Sequence, residues 1–268
     1  MSDIKHIIAV ASAKGGVGKS TTAVNLALAL QARGRAMGVL DADIYGPSLA
    51  LMLGVADTLR PDTRGDKTLL PVRAQGLASM SMAYLASERT PMVWRGPMAG
   101  SALAQMLAQT DWGELDILLI DMPPGTGDIQ LTLSQKAALA GAVIVTTPQD
   151  IALLDARRGM EMFAKVSVPV LGIVENMAVH TCARCGHTEH VFGADGGARI
   201  AAEYGVPLLA SLPLERRIRE LTDAGTPVVI AEPDGAATQA YLAAADALLQ
   251  ALDCAPAEDF PTIGSSDD

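Results

Sequence analysis

Two kinds of apolar segment alternate along this chain. Short runs rich in β-branched residues are followed by longer stretches rich in alanine and leucine that repeat with the period of a helix. The short runs predict strands at 7–11, 36–41, 116–121, 142–146, 170–174 and 208–212. The longer stretches predict helices at 20–33, 101–109, 128–140, 151–166, 198–204, 215–224 and 236–252. This alternation is typical of an α/β fold with a mostly parallel, twisted sheet and helices on both faces.

Length and hydrophobic content favour a single domain. The chain has 268 residues, half of them hydrophobic, which is enough to bury one large α/β core. We expect that domain to span residues 1–253, with a small β excursion within 54–84. Residues 254–268 are rich in Pro, Gly, Ser and Asp, and we predict that they form a disordered acidic tail containing Cys254.

Charge and cysteine content limit the partners and the compartment. Thirty acidic against twenty basic residues leave a net charge of -10, which disfavours binding to nucleic acid or to an anionic membrane surface. No apolar run approaches the roughly 20 residues of a transmembrane helix. Three cysteines in a chain of this length do not suit a disulfide framework. We therefore expect a soluble protein of the cytoplasm.

A glycine-rich segment with two lysines separates the first predicted strand from the first predicted helix. It reads Lys14-Gly-Gly-Val-Gly-Lys-Ser-Thr21. In this context backbone N–H groups crowd around phosphate oxygens, Lys19 reaches the β and γ phosphates, and Ser20 ligates Mg²⁺. A plain turn explains the glycines but not the two lysines and the Ser-Thr pair as well. The predicted nucleotide-binding residues of this loop are Ala13, Lys14, Gly15, Gly16, Val17, Gly18, Lys19, Ser20 and Thr21.

The loop departs from the strict phosphate-loop pattern at one position. That pattern has glycine where this chain has Ala13. Alanine is acceptable there if the residue keeps φ below zero. We expect the substitution to leave the loop intact.

Aspartates end two of the predicted strands, where open parallel sheets place their ligands. Asp121 ends the run Ile-Leu-Leu-Ile and fits the position that holds Mg²⁺ through its water shell. Asp41 and Asp43 follow the second strand. Asp41 is predicted to be a structural group or to lie in the outer shell of the Mg²⁺ site.

A close pair of cysteines lies in a polar loop near 180–192. Cys182 and Cys185 are separated by two residues, a spacing that serves zinc, iron–sulfur clusters or redox exchange. His187 and His190 follow closely. However, if both histidines and both thiols bound one tetrahedral zinc, so short a loop would be strained. We expect these histidines and His180 to face solvent without a ligand role, and the spacing alone does not choose between the metals.

Several motifs together resemble one protein family. The chain is similar to the Mrp/ApbC family of iron–sulfur cluster carrier ATPases, whose phosphate loop is of the deviant Walker A type. The stretches that carry the resemblance are Lys14 to Thr21, Asp41-Ala-Asp-Ile-Tyr-Gly-Pro-Ser48, Trp94-Arg-Gly-Pro-Met98, Asp121-Met-Pro-Pro-Gly-Thr-Gly-Asp128, Glu175-Asn-Met177 and the cysteine pair followed by Gly186. One departure is Ala183, where the family commonly has proline. The motifs do not assign a role to Arg95.

The resemblance implies the roles of individual residues at the nucleotide site. It implies a P-loop NTPase fold like that of the nitrogenase iron protein and the partitioning ATPases. Lys14 would stabilise transition-state charge in the nucleotide site of a partner subunit, which implies an ATP-dependent homodimer. Asp43 would orient the attacking water, and Asn176 would read the adenine. The implied catalytic residues are thus Lys14, Lys19 and Asp43, in a Mg²⁺-dependent ATPase.

The resemblance also implies a role for the cysteine pair. Cys182 and Cys185 would supply half of a site, and two chains would bridge one 4Fe-4S cluster. The chain would carry that cluster and transfer it to apo-proteins. The alternative is a spatial-positioning ATPase of the partitioning or division type with a structural zinc at the cysteines. An ATPase of that class is expected to have a basic C-terminal helix. Residues 236–252 contain no lysine or arginine, which disfavours this alternative.

Overall fold

The structure, a computed structural model, describes residues 3–56, 58–65, 68–85 and 96–254. Its strands are β1 (Asp3–Ala11), β2 (Met37–Asp41), β3 (Thr63–Arg64), β4 (Thr68–Leu69), β5 (Val72–Ala74), β6 (Leu77–Ser81), β7 (Glu114–Asp121), β8 (Gly141–Thr146), β9 (Val170–Thr181), β10 (Thr188–Glu189) and β11 (Leu208–Pro213). Its helices are α1 (Lys19–Ala32), α2 (Leu49–Met52), α3 (Met82–Leu85), α4 (Gly96–Gln109), α5 (Asp128–Lys136), α6 (Asp150–Lys165), α7 (Gly196–Tyr204), α8 (Arg216–Asp223), α9 (Val228–Ala231) and α10 (Ala236–Cys254). Each predicted strand and helix has a counterpart among them.

One sheet organises the fold. Its strand order is β10-β9-β8-β1-β7-β2-β6-β5, and β11 also pairs with β9. The pairings within the sheet are parallel except those of β5 with β6 and of β10 with β9. β1 therefore lies between two parallel neighbours in the interior of the sheet, whereas β10 lies at one edge. The predicted fold class is confirmed.

Alternation along β1 explains why helices cover both faces of the sheet. Ile8 and Val10 belong to one buried cluster, which includes residues of α1 and α10. Ala9 and Ala11 belong to a second cluster, with residues of α4, α5 and α6. Successive side chains of a strand point to opposite faces, so the continuous apolar run 7–11 of β1 needs a core on each side of the sheet. In the described part of the chain, no helix is both long and apolar enough to span a membrane.

The segment between α2 and α3 contains more of the main sheet than the sequence predicted. The β excursion is present as the antiparallel pair of β3 and β4. However, β6 is a full parallel strand of the main sheet and is paired with β2. The prediction missed it because its sequence, Leu-Ala-Ser-Met-Ser, contains no β-branched residue.

Three predicted boundaries near the functional region are wrong. β9 does not end at Val174 but runs to Thr181, because β10 and β11 pair with its second half. The helix predicted to reach residue 140 ends at Lys136, and Ala138 then adopts a left-handed φ of 45°. Cys254 is the last residue of α10 rather than part of a tail.

Residues 255–268 and the pair Trp94 and Arg95 lie outside the described residues.

Candidate nucleotide site and cysteine hairpin

The loop between β1 and α1 has the local geometry of an anion-binding loop. Gly16 and Gly18 adopt left-handed φ values of 81° and 84°. Left-handed residues next to right-handed ones let successive backbone N–H groups converge on one point. Ala13 is not among the left-handed residues, so alanine meets no conformational penalty where the strict pattern has glycine.

Close packing is a second reason for glycine at position 18. A Cβ at this position would overlap the Nδ2 atom of Asn176, whereas a Cβ at Gly15 would have no atom within 4 Å. The loop therefore packs directly against β9 at Gly18 and is open at Gly15.

We expect Gly18→Ala to destabilise the ligand-free protein by roughly 1–3 kcal/mol, the order of cost for a left-handed non-glycine residue. The matched change Gly15→Ala adds the same methyl group in open space and at a φ outside the left-handed region. Urea unfolding of both variants without nucleotide measures the difference. Equal stabilities of the two variants would contradict the assigned packing.

Lys19 and Asp121 form a buried ion pair beneath the loop. The two side chains are 6% and 1% exposed, and Lys19 Nζ also donates a hydrogen bond to Ser20 Oγ at 3.2 Å. Burial raises the pKa of Asp121, although the ammonium of Lys19 opposes the shift. Asp121 Oδ2 is buried and has no hydrogen-bond partner among the described residues. A carboxylate oxygen and a hydroxyl at this point are the hard ligands that suit Mg²⁺.

Asp41 organises the loop that follows β2. It is fully buried, and its carboxylate accepts hydrogen bonds from the backbone N–H groups of Asp43, Ser48 and Leu49 and from Ser81 Oγ, at 3.0 to 3.1 Å. Burial and then the charge of Asp121 raise the pKa of Asp41 to about 7. Of the two roles predicted for Asp41, four donors on one carboxylate favour the structural one.

Asp43 lies in this loop with a more accessible carboxylate. It is half-buried, and its Oδ1 accepts a hydrogen bond from Gly46 N at 3.3 Å. Together with the loop after β7 it lines a cavity of about 280 Å³. The cavity is lined by Asp43, Tyr45, Pro123, Pro124, Gly127, Asp128, Ile129 and Gln130. The structure thus brings Asp43 next to the segment that begins at Asp121.

Lys14 differs from Lys19 in its surroundings. Its side chain is half-buried, and within the described residues no carboxylate lies within 4 Å of its ammonium. Its backbone carbonyl accepts a hydrogen bond from Ser12 Oγ at 3.0 Å. Among the described residues, Lys19 is therefore paired with a carboxylate and Lys14 is not.

Asn176 contacts the phosphate loop from β9. It is 8% exposed, and its Nδ2 donates to Val17 O at 2.8 Å. The preceding residue, Glu175, is buried and accepts hydrogen bonds from Gly197 N at 2.7 Å and Ser211 Oγ at 3.4 Å. Glu175 thereby links β9 to the first turn of α7. This link was missed from the sequence, although a glutamate before Asn-Met at the end of an apolar strand was a visible signal.

The cysteines occupy the turn between β9 and β10. Cys182 N donates to His187 O, and Gly186 N donates to Cys182 O, both at 2.8 Å. The backbone N–H groups of Arg184 and Cys185 lower the pKa of the Cys182 thiol. Both thiols are free, and Cys185 is exposed. Cys182 is half-buried, and its lowered pKa favours the thiolate, which is the form of cysteine that binds metals.

The histidines near this turn are held by backbone groups. His180 Nδ1 lies 3.0 Å from Leu214 O, and His190 Nδ1 lies 2.8 Å from Ala178 O. Among the described residues, no three His, Cys, Asp or Glu side chains are grouped so that they could hold a metal ion. Within the described ranges, this region therefore offers two thiols and no third ligand grouped with them.

A phosphate loop after a central parallel strand, with a buried aspartate at the end of the neighbouring strand, defines a P-loop NTPase. Comparison with protein families then gives the particular group. The chain belongs to the family described as "ParA: NUBPL iron-transfer P-loop NTPase", whose model matches residues 3–249. The resemblance that the motifs predicted is confirmed, and the protein is a nucleotide-binding NTPase.

Individual relatives support the same assignment. The chain is 62% identical over 234 residues to the iron-sulfur cluster carrier protein of Pseudomonas fragi, covering 87% of this chain and 82% of that one. It is 56% identical over 246 residues to the iron-sulfur cluster carrier protein of Escherichia coli (strain K12), covering 92% of this chain and 66% of that one. Among solved structures it resembles a nucleotide-binding protein from Archaeoglobus fulgidus in complex with ADP, with a TM-score of 0.73, 36% identity, and coverage of 87% and 90%.

Proposed function

We propose that this protein hydrolyses ATP to ADP and phosphate and carries a 4Fe-4S cluster that two chains hold between them. One observation carries the proposal: the described part of the chain combines a phosphate loop with a pair of free thiols, one exposed and one half-buried, that has no third ligand. The names of the relatives, which describe cluster carriers and transfer proteins, support it. The recipients of the cluster would be apo-proteins.

The residues of the nucleotide site have distinct tasks in this proposal. Lys19 exchanges its contact with Asp121 for the β and γ phosphates, and the backbone N–H groups of the loop hold the remaining phosphate oxygens. Ser20 and Asp121 would hold Mg²⁺, which when bound neutralises charge on the phosphates. Asp43 orients the water that attacks the γ phosphorus as the bond to the β-phosphate oxygen breaks. Asn176 binds the adenine.

Lys14 gives a reason for the protein to act as a homodimer. Its ammonium has no carboxylate partner within its own described chain, which leaves it available to a second copy. A cation placed near the transferring phosphoryl group from another subunit stabilises transition-state charge. We propose a two-fold dimer in which each Lys14 completes the partner's site.

The cysteine hairpin is suited to hold a cluster as cargo. Cys182 and Cys185 supply two thiolates per chain, and a two-fold dimer supplies the four that a 4Fe-4S cluster requires. Exposure of the hairpin leaves the cluster open to attack by the thiolates of an acceptor. All three cysteines are free, which supports a reducing compartment, and we propose the cytoplasm.

The test measures iron, acid-labile sulfide and zinc per chain after anaerobic reconstitution. The natural chain is compared with a Cys182→Ser, Cys185→Ser double variant, and Cys254→Ser is the matched control because Cys254 lies on α10. We expect about two irons and two sulfides per chain in the natural protein and the control, and none in the double variant. Zinc near one per chain without iron would overturn the carrier function and favour a zinc-stabilised switch ATPase.

Transfer is tested with the reconstituted protein and an apo-ferredoxin as acceptor. The expected result is that the acceptor gains its cluster spectrum while the carrier loses iron. A cluster that stays on the carrier under these conditions would show that it is resident rather than cargo.

A further inference from the structure

β9 joins the two sites of this protein. Its residue Asn176 contacts the phosphate loop, and the turn that carries Cys182 and Cys185 begins where β9 ends, at Thr181. At about 3.3 Å per residue the intervening chain spans roughly 20 Å. A single strand is thus a direct covalent path between the nucleotide site and the thiols.

The strand is irregular at the point where it meets the nucleotide site. β9 advances by four residues, from Glu175 to Val179, where its neighbour β11 advances by two, from Ser211 to Pro213. Met177 lies inside this bulge with a left-handed φ of 59°. A residue with a Cβ disfavours this conformation, so the surrounding contacts hold the strand in its kinked form.

The contact on the nucleotide side depends on this kink. Pairing of β9 with β8 ends at Glu175, and the next residue, Asn176, turns its amide to Val17 O. The methyl group of Met177 lies near the same loop, 3.9 Å from where a Cβ at Gly18 would be. If Asn176 binds adenine, the contact with Val17 O must be exchanged when a nucleotide enters.

The contacts on the thiol side begin directly after the kink. His190 Nδ1 bonds to Ala178 O at 2.8 Å, and Val179 O accepts from Leu214 N at 2.8 Å. His180 Nδ1 bonds to Leu214 O at 3.0 Å. The bond of His190, together with the pairing of β10 with β9, fastens the cysteine hairpin to the strand directly after the kink. The two bonds of Leu214 tie residues 179 and 180 to the end of β11.

We infer that the kink at Met177 couples nucleotide binding to the geometry of Cys182 and Cys185. Release of Asn176 from the phosphate loop lets β9 relax toward a regular strand, and the fastened hairpin follows. Met177 is a positioning residue in this coupling and touches neither substrate. This inference rests on the proposed function, because the coupling would link ATP hydrolysis to release of the cluster.

The test uses thiol reactivity in the full-length protein without a cluster. In a Cys254→Ser background the two hairpin thiols are the only cysteines, and their rate of alkylation is measured with and without saturating Mg-ADP. We expect ADP to change this rate at least about fivefold in the Met177 protein, the lower end of ordinary coupling between sites. Met177→Gly removes the penalty of the left-handed conformation, and the ADP effect should fall below about twofold. Met177→Ala keeps a Cβ and should retain the effect.

Affinity for ADP is measured in all three proteins, so that a lost effect is not mistaken for lost binding. An unchanged ADP effect in Met177→Gly would overturn the coupling through the kink. If the ADP effect is also lost in Met177→Ala, the coupling through the kink is overturned, because the methionine side chain rather than the backbone would then transmit the effect. Absence of any ADP effect on the thiols of the Met177 protein at saturation would also overturn it. The readout needs no iron, so failure of the carrier function leaves this test intact.

Discussion

An equimolar mixture of two inactive variants, Lys14→Ala and Asp43→Asn, should recover about a quarter of the natural rate of ATP hydrolysis if Lys14 acts in a partner's site. In a mixed dimer, the chain that keeps Asp43 receives Lys14 from the other chain. Random exchange makes about half of the dimers mixed, and each of these has one complete site of two.

Each variant alone should be nearly inactive for a different reason. Removing a cation that completes the site from another subunit costs about 10³-fold or more in kcat. Replacing the carboxylate that orients the water costs about 10²- to 10⁴-fold. Binding of ATP should persist in both, because Lys19 and the loop backbone remain. Hydrolysis is measured by phosphate release over a range of mixing ratios.

Lys165→Ala is the control for the loss of a lysine, since Lys165 is exposed at the end of α6. Its rate should match that of the natural protein. Failure of the mixture to recover activity, with dimer exchange shown by a tagged chain, would mean that Lys14 serves its own site. Full activity of Lys14→Ala alone would remove it from the catalytic residues.

The second large effect concerns stability rather than turnover. Lys19→Met should lower the free energy of unfolding of the ligand-free protein by about 3–5 kcal/mol, because Asp121 would keep a buried charge without its cation. Lys19→Met with Asp121→Leu should recover most of this loss, since an apolar pair of similar size can replace a buried ion pair. Neither protein should hydrolyse ATP. Urea unfolding measures the three stabilities.

Lys5→Met is the matched control for that experiment. Lys5 pairs with Asp116 at 2.7 Å but is 68% exposed, and because solvent screens an exposed pair, its loss should change the free energy of unfolding little. A cost for Lys19→Met no larger than for Lys5→Met would contradict a stabilising buried pair.

The Lys19→Met protein should also gain stability as the pH falls. Burial raises the pKa of Asp121, and removing Lys19 removes the cation that opposes the shift. A carboxyl whose pKa is raised in the folded state takes up its proton there at a higher pH than in the unfolded chain. Its contribution to the free energy of unfolding is therefore greatest at low pH and is lost as the pH rises. In the double variant that combines Lys19→Met with Asp121→Leu, this part of the pH dependence should disappear.

The parts of the fold that could be predicted are those in which local sequence and tertiary environment agree. β1, β7 and β8 contain β-branched apolar runs because both of their faces are buried. The phosphate loop is contiguous, so its glycines and lysines were visible together. β6 was not predicted, because its strand conformation depends on pairing with β2 rather than on its own residues.

The contacts that were missed join residues distant in sequence. Asn176 was placed after a strand, but it lies within β9 and bonds to Val17, 159 residues away. The pairing of Lys19 with Asp121 spans 102 residues. Asp41 accepts one of its four hydrogen bonds from Ser81, 40 residues away. Position along the chain predicts that such groups meet at one edge of the sheet, not which atoms bond.

The order of the strands has a consequence for hydrogen exchange. Amide protons of β1 are enclosed between β7 and β8, so they should exchange with deuterium only through the largest opening events. β10 lies at the edge of the sheet and consists of two exposed residues, so the cysteine hairpin can open by itself. The proposed nucleotide site would thus adjoin the strand that we expect to exchange most slowly, whereas the thiols would be carried by a part that can open without unfolding the rest.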